Sequence, residues 1–329
     1  MLAPVGEATW REEPLVRAAL ASHAMWDDFA AELRERTGLD SGLREIGAVH
    51  VALDGDEARE LKRRFDLIES LGLDASWLPG RECRSLQAGL GPAAFAGIDA
   101  PHESAVDPGA LLAALRAACE AAGVEVMEGA EAVAAIEDGG ALRGVVASDG
   151  TDHRADTTVI AAGAWSRLDW LPEQARPPVR PVKGQILTLK VDPAFNPIDR
   201  IVVTERVYLV PRPDGRLIVG ATVEELGFDT RVTAGGVLEL LREAYRVVPD
   251  VAELELEEAS AGLRPGTSDN APLVGPTGTP GLLWATGHYR NGILLAPITA
   301  AAVVAHLANE EPPPDFEAAD PGRFAEVAS

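Results

Sequence analysis

The sequence predicts an α/β (α+β) protein, in which a nucleotide-binding α/β unit is joined to a β-rich one. Three observations carry this. From Asp107 to Ile160 the chain reads helix, strand, meander, strand, which is half of a nucleotide-binding α/β domain. Composition changes at Arg176-Pro177-Pro178-Val179-Arg180-Pro181, and alternating strands follow it. Near the end, Leu282 to Ala285 reads as a short buried strand between Gly281 and Gly287, and an apolar run after Gly292 leads into a helix through Leu307.

In chain order, Glu12-Glu13-Pro14 opens a helix with acidic residues and a proline in its first turn. It is expected to run to about Arg36, with Leu15, Ala19, Met25, Trp26, Phe29 and Leu33 inward and Gly38 as its stop. Ile46 to Leu53 reads as a strand, and Asp54 or Asp56 caps a helix from Glu57 to Leu71. Pro79 to Gln87 is a short helix, in which Cys83 reads as a small core residue, as does His50 before it. Asp107 and Pro108 are the cap and first residue of a helix from Gly109 to Ala122. Strands are expected at Val124–Val126, Val133–Ile136, Leu142–Ala147 and Thr157–Ile160, with hairpin turns at Gly139-Gly140 and Asp149-Gly150. Beyond the composition change, Gln185 to Val191 alternates, and Arg206–Arg212 with Arg216–Thr222 form a hairpin around Pro213-Asp214-Gly215. Val232 to Val247 is an amphipathic helix with Leu238, Leu241 and Tyr245 on one side, and Leu254 to Ala261 is a strand delivering Gly262-Leu263-Arg264-Pro265. The tail after Ala308 is expected to be exposed and loose.

The 329 residues, 47% of them hydrophobic, allow two domains with ample core. A net charge of -23 argues against nucleic acid or an anionic membrane as partner. Two cysteines, Cys83 and Cys119, make no disulfide framework and no metal motif. No run of 18 apolar residues is present and the first ten residues do not resemble a signal peptide, so a cytoplasmic protein is expected.

Chemistry is sought at strand ends. The turn Gly287-His288-Tyr289-Arg290-Asn291-Gly292 joins a strand to a helix, a place where free N–H groups and a positive helix end meet electron-rich ligands. Thr158 to Ile160 runs into the small residues Ala161-Ala162-Gly163-Ala164, which allow backbone to approach a flat ligand closely or simply make a tight packed turn. Arg264 and Arg290 each need an anion, supplied either by a protein acid such as Asp269 or by a ligand carboxylate, and Tyr208 offers a hydroxyl. Lys183-Gly184 is not a phosphate loop.

The order Ser104-Ala105-Val106-Asp107-Pro108, Ala161–Ser166, Pro181-Val182-Lys183-Gly184-Gln185, Tyr208-Leu209-Val210-Pro211-Arg212, Gly220-Ala221-Thr222, Gly262-Leu263-Arg264-Pro265 and Gly287–Pro297 resembles the FAD-dependent amine and D-amino-acid oxidase superfamily. The resemblance covers about Met1 to Leu307 and is nearest to the glycine oxidase branch of the thiamine pathway. It implies an FAD-binding Rossmann-like domain from residues 1–40, 98–175 and 265–318, an antiparallel-sheet substrate domain from 41–97 and 176–264, and a tail from 319. It assigns the substrate carboxylate to Arg264, with Tyr208 and Arg290 in the same pocket. Val133 falls to the adenosine part of FAD, Ala162, Gly163 and Trp165 to the dinucleotide cleft, and His288, Asn291, Gly292, Ile293 and Leu294 to the flavin side.

The reaction implied is oxidative deamination of glycine or a similar small amino acid. Hydride goes to the flavin, O2 is the acceptor, and glyoxylate, ammonia and hydrogen peroxide are the products. A sarcosine or D-amino-acid oxidase or dehydrogenase stays open, with Val223 and Tyr208 bearing on pocket size. The resemblance also admits a homo-oligomer and thiamine-pathway enzymes as partners. The family opens with a strand, Gly-x-Gly-x-x-Gly and a helix, and the first 60 residues hold no such pattern. The expectation is therefore an N-terminally incomplete cofactor domain that holds little FAD alone, a non-catalytic remnant at the extreme.

Overall fold

The computed structural model describes every residue except Arg11, Pro193 and Ser329, and for residues 325–328 the backbone only. Helices α1 (Glu13–Ala24) and α2 (Trp26–Thr37) open the chain, and Gly38 ends α2 at φ 73°. The single helix expected here is broken at Met25, whose N–H bonds to the Ser22 carbonyl three residues back rather than four. Strands β1 (Arg44–Glu45) and β2 (Ala48–Ala52) precede α3 (Gly55–Ser70), which Asp54 caps through the N–H groups of Asp56 and Glu57. Then come β3 (Ser76–Pro79), α4 (Gly80–Leu86), β4 (Ala96–Ala100) and β5 (Ser104–Ala105). Helix α5 (Pro108–Ala121) is capped by Asp107, which accepts from Gly109 and Ala110.

The strand expected at Val124–Val126 is absent. These residues lie exposed in a loop beyond Gly123, and no strand pairs with them among the described residues. Next are β6 (Ala132–Asp138), β7 (Ala141–Ala147), β8 (Asp152–Arg154), β9 (Thr158–Ile160) and the long β10 (Arg180–Lys190). They are followed by β11 (Ile201–Val203), β12 (Tyr208–Pro211), β13 (Arg216–Gly220) and α6 (Ala234–Val247). Leu238 and Tyr245 of α6 are exposed, contrary to expectation. The packed stripe is Val237, Leu240, Leu241, Ala244 and Val247, the set that follows helical spacing toward the sheet. The last elements are β14 (Glu255–Gly266), β15 (Leu273–Pro276), β16 (Leu282–Thr286) and α7 (Ala296–Ala308). The tail is not loose throughout. Phe316 and Ala319 are buried, and Arg323 bonds Asp269 at 2.7 Å.

The chain divides into two compact units. One comprises Met1–Val16, Asp40–Leu111 and Lys183–Leu263, and the other Arg17–Leu39, Leu112–Val182 and Arg264–Ser329. The first is built on an eight-stranded sheet in the order β14-β10-β13-β12-β11-β2-β4-β3. From β10 to β3 its pairings are antiparallel except β2 with β11. Alternate residues of its strands, among them Leu187, Leu189, Leu209, Leu217 and Val219, bury against α6. The second unit holds a Rossmann-like mixed sheet in which β16 lies between parallel β9 and antiparallel β15. A separate meander, β6-β7-β8, belongs to the same unit. The core there is Leu142, Ile160, Leu171, Leu273, Leu282 and Trp284.

Candidate functional site

The parallel pair β9 and β16 runs in register, Ile160 opposite Trp284, so both strands end on the same edge of the mixed sheet. In open α/β sheets ligands settle beyond such carboxyl ends. Two turns occupy that edge. The first follows β9 and carries Ala162, Gly163 and Trp165. Ala162 and Trp165 are exposed, and Gly163 sits at φ 54° with open space where a side chain would project. It is fastened to the end of β16, since Ser166 Oγ donates to Thr286 Oγ1 at 2.8 Å, which donates to the Gly163 carbonyl at 3.1 Å.

The second turn follows β16. Gly287 has φ 77°, and a Cβ there would come within 2.8 Å of Thr267 Cγ2, so this position requires glycine. Tyr289 also has positive φ, 48°. Its N–H donates to the Pro265 carbonyl at 2.9 Å, which fixes the turn to the end of β14. Arg264 precedes and Arg290 follows the residues of that bond, so both arginines are brought to this edge. Arg264 is half-buried, while Arg290 is exposed beside the Tyr289 ring. Asp269, the protein acid considered for Arg264, is bound by Arg323.

His288 is buried, and one ring nitrogen shares a 2.9 Å hydrogen bond with Thr299 Oγ1 of α7. Burial pushes its pKa down to about 4, so the ring is neutral near pH 7. The His288 carbonyl accepts from Asn291 N–H, and the Asn291 carbonyl from Leu295 N–H. Among the described residues no acceptor is found for the N–H groups of Gly292, Ile293 and Leu294. They form the positive entrance of α7. On its other side, the Leu294 carbonyl receives Ser22 Oγ at 2.7 Å and Trp26 Nε1 at 3.0 Å. Sequence reasoning missed both roles, and Trp26 was expected only in the core. Their spacing of four residues hints at a shared face, but no pattern in sequence says which distant carbonyl they meet.

Val133 is exposed on β6, at a register shift within the meander. Tyr208 belongs to the antiparallel-sheet unit. It is half-buried and pairs across strands with Gly220, where any Cβ would overlap its ring. Nearby in sequence, Lys183 is fully buried with Glu224 Oε2 at 3.4 Å. Burial opposes ionisation of Glu224, but hydrogen bonds from Thr222 and Gln185 and the charge of Lys183 hold its carboxyl below the usual range. Val223 beside it is exposed. Cys83 is buried, and burial pushes its thiol up to about 11, which suits a core residue and not a nucleophile. Among the described residues no His, Cys, Asp or Glu cluster could hold a metal, and no helix is long and apolar enough to cross a membrane.

A family model for FAD dependent oxidoreductases (DAO) matches residues 4–306. The chain belongs to this family. It is 33% identical over 327 residues to the bifunctional protein ThiO/ThiG of Synechocystis, covering 98% of this chain and 47% of that protein. It is 36% identical over 294 residues to the glycine oxidase of Geobacillus kaustophilus, covering 88% of this chain and 77% of that enzyme. The crystal structure of glycine oxidase from Geobacillus kaustophilus superposes with a TM-score of 0.91 at 33% identity, over 97% of this chain and 85% of the other. The chain spans about half the length of the bifunctional relatives it matches.

FAD is the cofactor of this family, and the residues present fit its ring end. Open space at Gly163 admits a flat group, and the N–H groups of Gly292, Ile293 and Leu294, with no acceptor among the described residues, suit its electron-rich edge. The diphosphate is not assigned to residues here. Leu2 bridges Ser104 and α1 follows, so among the described residues of the first 24 no strand–glycine turn–helix is found.

Proposed function

We propose that this chain carries out FAD-dependent oxidation of a small amino acid, with glycine the preferred substrate and O2 the electron acceptor. The observation that carries the reading is the edge of the mixed sheet. There the turn before α7 offers three N–H groups that find no acceptor among the described residues, and the Pro265–Tyr289 bond brings Arg264 and Arg290 beside the same turn. Relatives named glycine oxidase favour glycine over larger amines. When bound, FAD supplies the hydride acceptor and passes the electrons to O2.

The chain's own residues orient and stabilise. Arg264 holds the substrate carboxylate through a planar fork of donors. The N–H groups of Gly292, Ile293 and Leu294 face the ring edge where negative charge accumulates, and neutral His288 adds no competing charge. Ala162, Gly163 and Trp165 border the ring's cleft, while contacts of Val133 and Tyr208 with cofactor and substrate rest on family likeness.

The test is anaerobic mixing of the FAD-loaded protein with glycine, sarcosine and D-alanine, followed by flavin absorbance. Bleaching by glycine, with hydrogen peroxide formed on admitting air, is expected. Preferential bleaching by the larger amines would reject glycine, and no bleaching by any of them would reject amine oxidation.

A further inference from the structure

Ile298 is the third residue of α7, so its N–H is one of the first-turn donors that a helix leaves without an acceptor of its own. The Ser22 hydroxyl takes that N–H at 3.4 Å and itself donates to Leu294 O, just before the helix, at 2.7 Å. The Trp26 indole adds a second donor to the same carbonyl at 3.0 Å. Ser22 is fully buried and Trp26 nearly so. These two side chains sit on either side of the break at Met25. Four residues apart, they lie on one side of the chain, and both reach one oxygen.

Two consequences follow. The carbonyl is doubly satisfied, so its partial negative charge does not offset the N–H groups of Gly292, Ile293 and Leu294 just before it. The turn is also held at both ends, by Ser22 and Trp26 at Leu294 and by the His288–Thr299 bond across the helix start. We infer that Ser22 and Trp26 are positioning residues. They keep the entrance of α7 in one register and electrically uncompensated, so that its N–H groups favour the electron-rich state of the group they face. This rests on the placement of the flavin ring proposed above.

The experiment uses Trp26→Phe, which keeps an aromatic ring and removes the donor, and Ser22→Ala. Amide hydrogen exchange of Leu295, Ala296 and Ile298, whose N–H groups are bonded, is followed in the protein without added FAD. The midpoint potential of the bound flavin is measured in the loaded protein. Each variant is expected to speed exchange at these amides. Each should also weaken the hold on reduced relative to oxidised flavin by ~5-fold, the worth of one net hydrogen bond of about 1 kcal/mol. Variants that melt earlier yet keep wild-type exchange at these amides and wild-type potential would overturn the inference, leaving Ser22 and Trp26 merely structural. Faster exchange with an unchanged potential would uphold the lock on the turn and sink the ring placement instead. Should Ser22→Ala fail to fold, Trp26→Phe decides alone.

Discussion

Arg264 stands one residue before the carbonyl that anchors the Gly287–Leu295 turn, on the edge of the mixed sheet where the flavin ring is proposed to lie. In the loaded protein Arg264→Ala is expected to keep FAD and lose substrate. A bidentate charged pair with one partner left desolvated is worth ~2–5 kcal/mol, which is ~30- to several-thousand-fold in kcat/KM. Lysine should recover only part, since it keeps charge without the planar fork. Stopped-flow flavin reduction by glycine decides, and an unchanged rate and affinity in Arg264→Ala would refute the anchor. His288 makes a second residue-scale prediction. Its folded value of about 4 lies below the ordinary 6.5, so between those pH values the unfolded chain takes a proton that the folded chain refuses. The neutral ring's contribution is complete above pH 6.5 and is lost as pH falls toward 4. The loss reaches ~3 kcal/mol at about 1.36 kcal/mol per pH unit. His288→Gln should therefore show a shallower fall in stability from pH 7 to 5 in urea melts than the parent protein. Parallel falls would remove the assignment. Arg264, Arg290 and His288 could be nominated from sequence because a charged or titratable group between apolar flanks needs a partner. The identity of that partner could not, since Thr299, for example, reaches His288 only through folding.

Local chemistry was legible wherever it is written within four residues. Asp54 and Asp107 cap their helices, and Gly38 closes α2, as short-range hydrogen bonding and positive φ demand. Errors arose where a distant group competes with local preference. The stretch from Glu12 to about Arg36 reads as one helix because both halves are good formers, yet it is interrupted at Met25, between Ser22 and Trp26, which both meet Leu294. Val124–Val126 has strand residues and finds no neighbour to pair with, and the tail packs because Phe316 finds cover. At this scale Gly287 is the position to test. Alanine there takes on a left-handed backbone, ~1–2 kcal/mol for an L-residue, and places a methyl against Thr267 Cγ2 at 2.8 Å. Gly287→Ala should lose ~2–4 kcal/mol of stability in urea melts, with FAD affinity falling alongside. Gly227→Ala serves as control, since its φ of 60° carries the same backbone term in open space. Equal losses at both positions would show that the Thr267 contact contributes nothing.

For the whole molecule, the α/β class and the β-rich second part followed from periodicity, because a change from helical to alternating spacing survives any packing detail. The order of eight strands in the large sheet did not follow. β2 pairs with β11 across about 150 residues of sequence, and no local signal marks that choice. Net charge is the other property that belongs to the entire chain, and it sets two effects against each other. Exposed ion pairs such as Arg36–Glu32, Lys62–Asp66 and Arg63–Glu60 weaken with salt, but each is worth only ~0–1 kcal/mol. Against them stand 23 uncompensated negative charges, which folding crowds together. At low ionic strength the screening length is tens of ångströms and the excess charges repel across the fold. Near 0.3 M it falls below about 10 Å, and repulsion on the order of several kcal/mol is removed. Repulsion should dominate. The melting temperature of the 329-residue protein is expected to rise by at least a few degrees between ~0.02 and ~0.3 M NaCl, and equally in KCl, since screening is blind to ion identity. Glu→Gln changes at unpaired exposed acids should raise it at low salt and matter less at high salt. A melting temperature that is flat or falls with salt in both would mean that the surface ion pairs outweigh the excess charge.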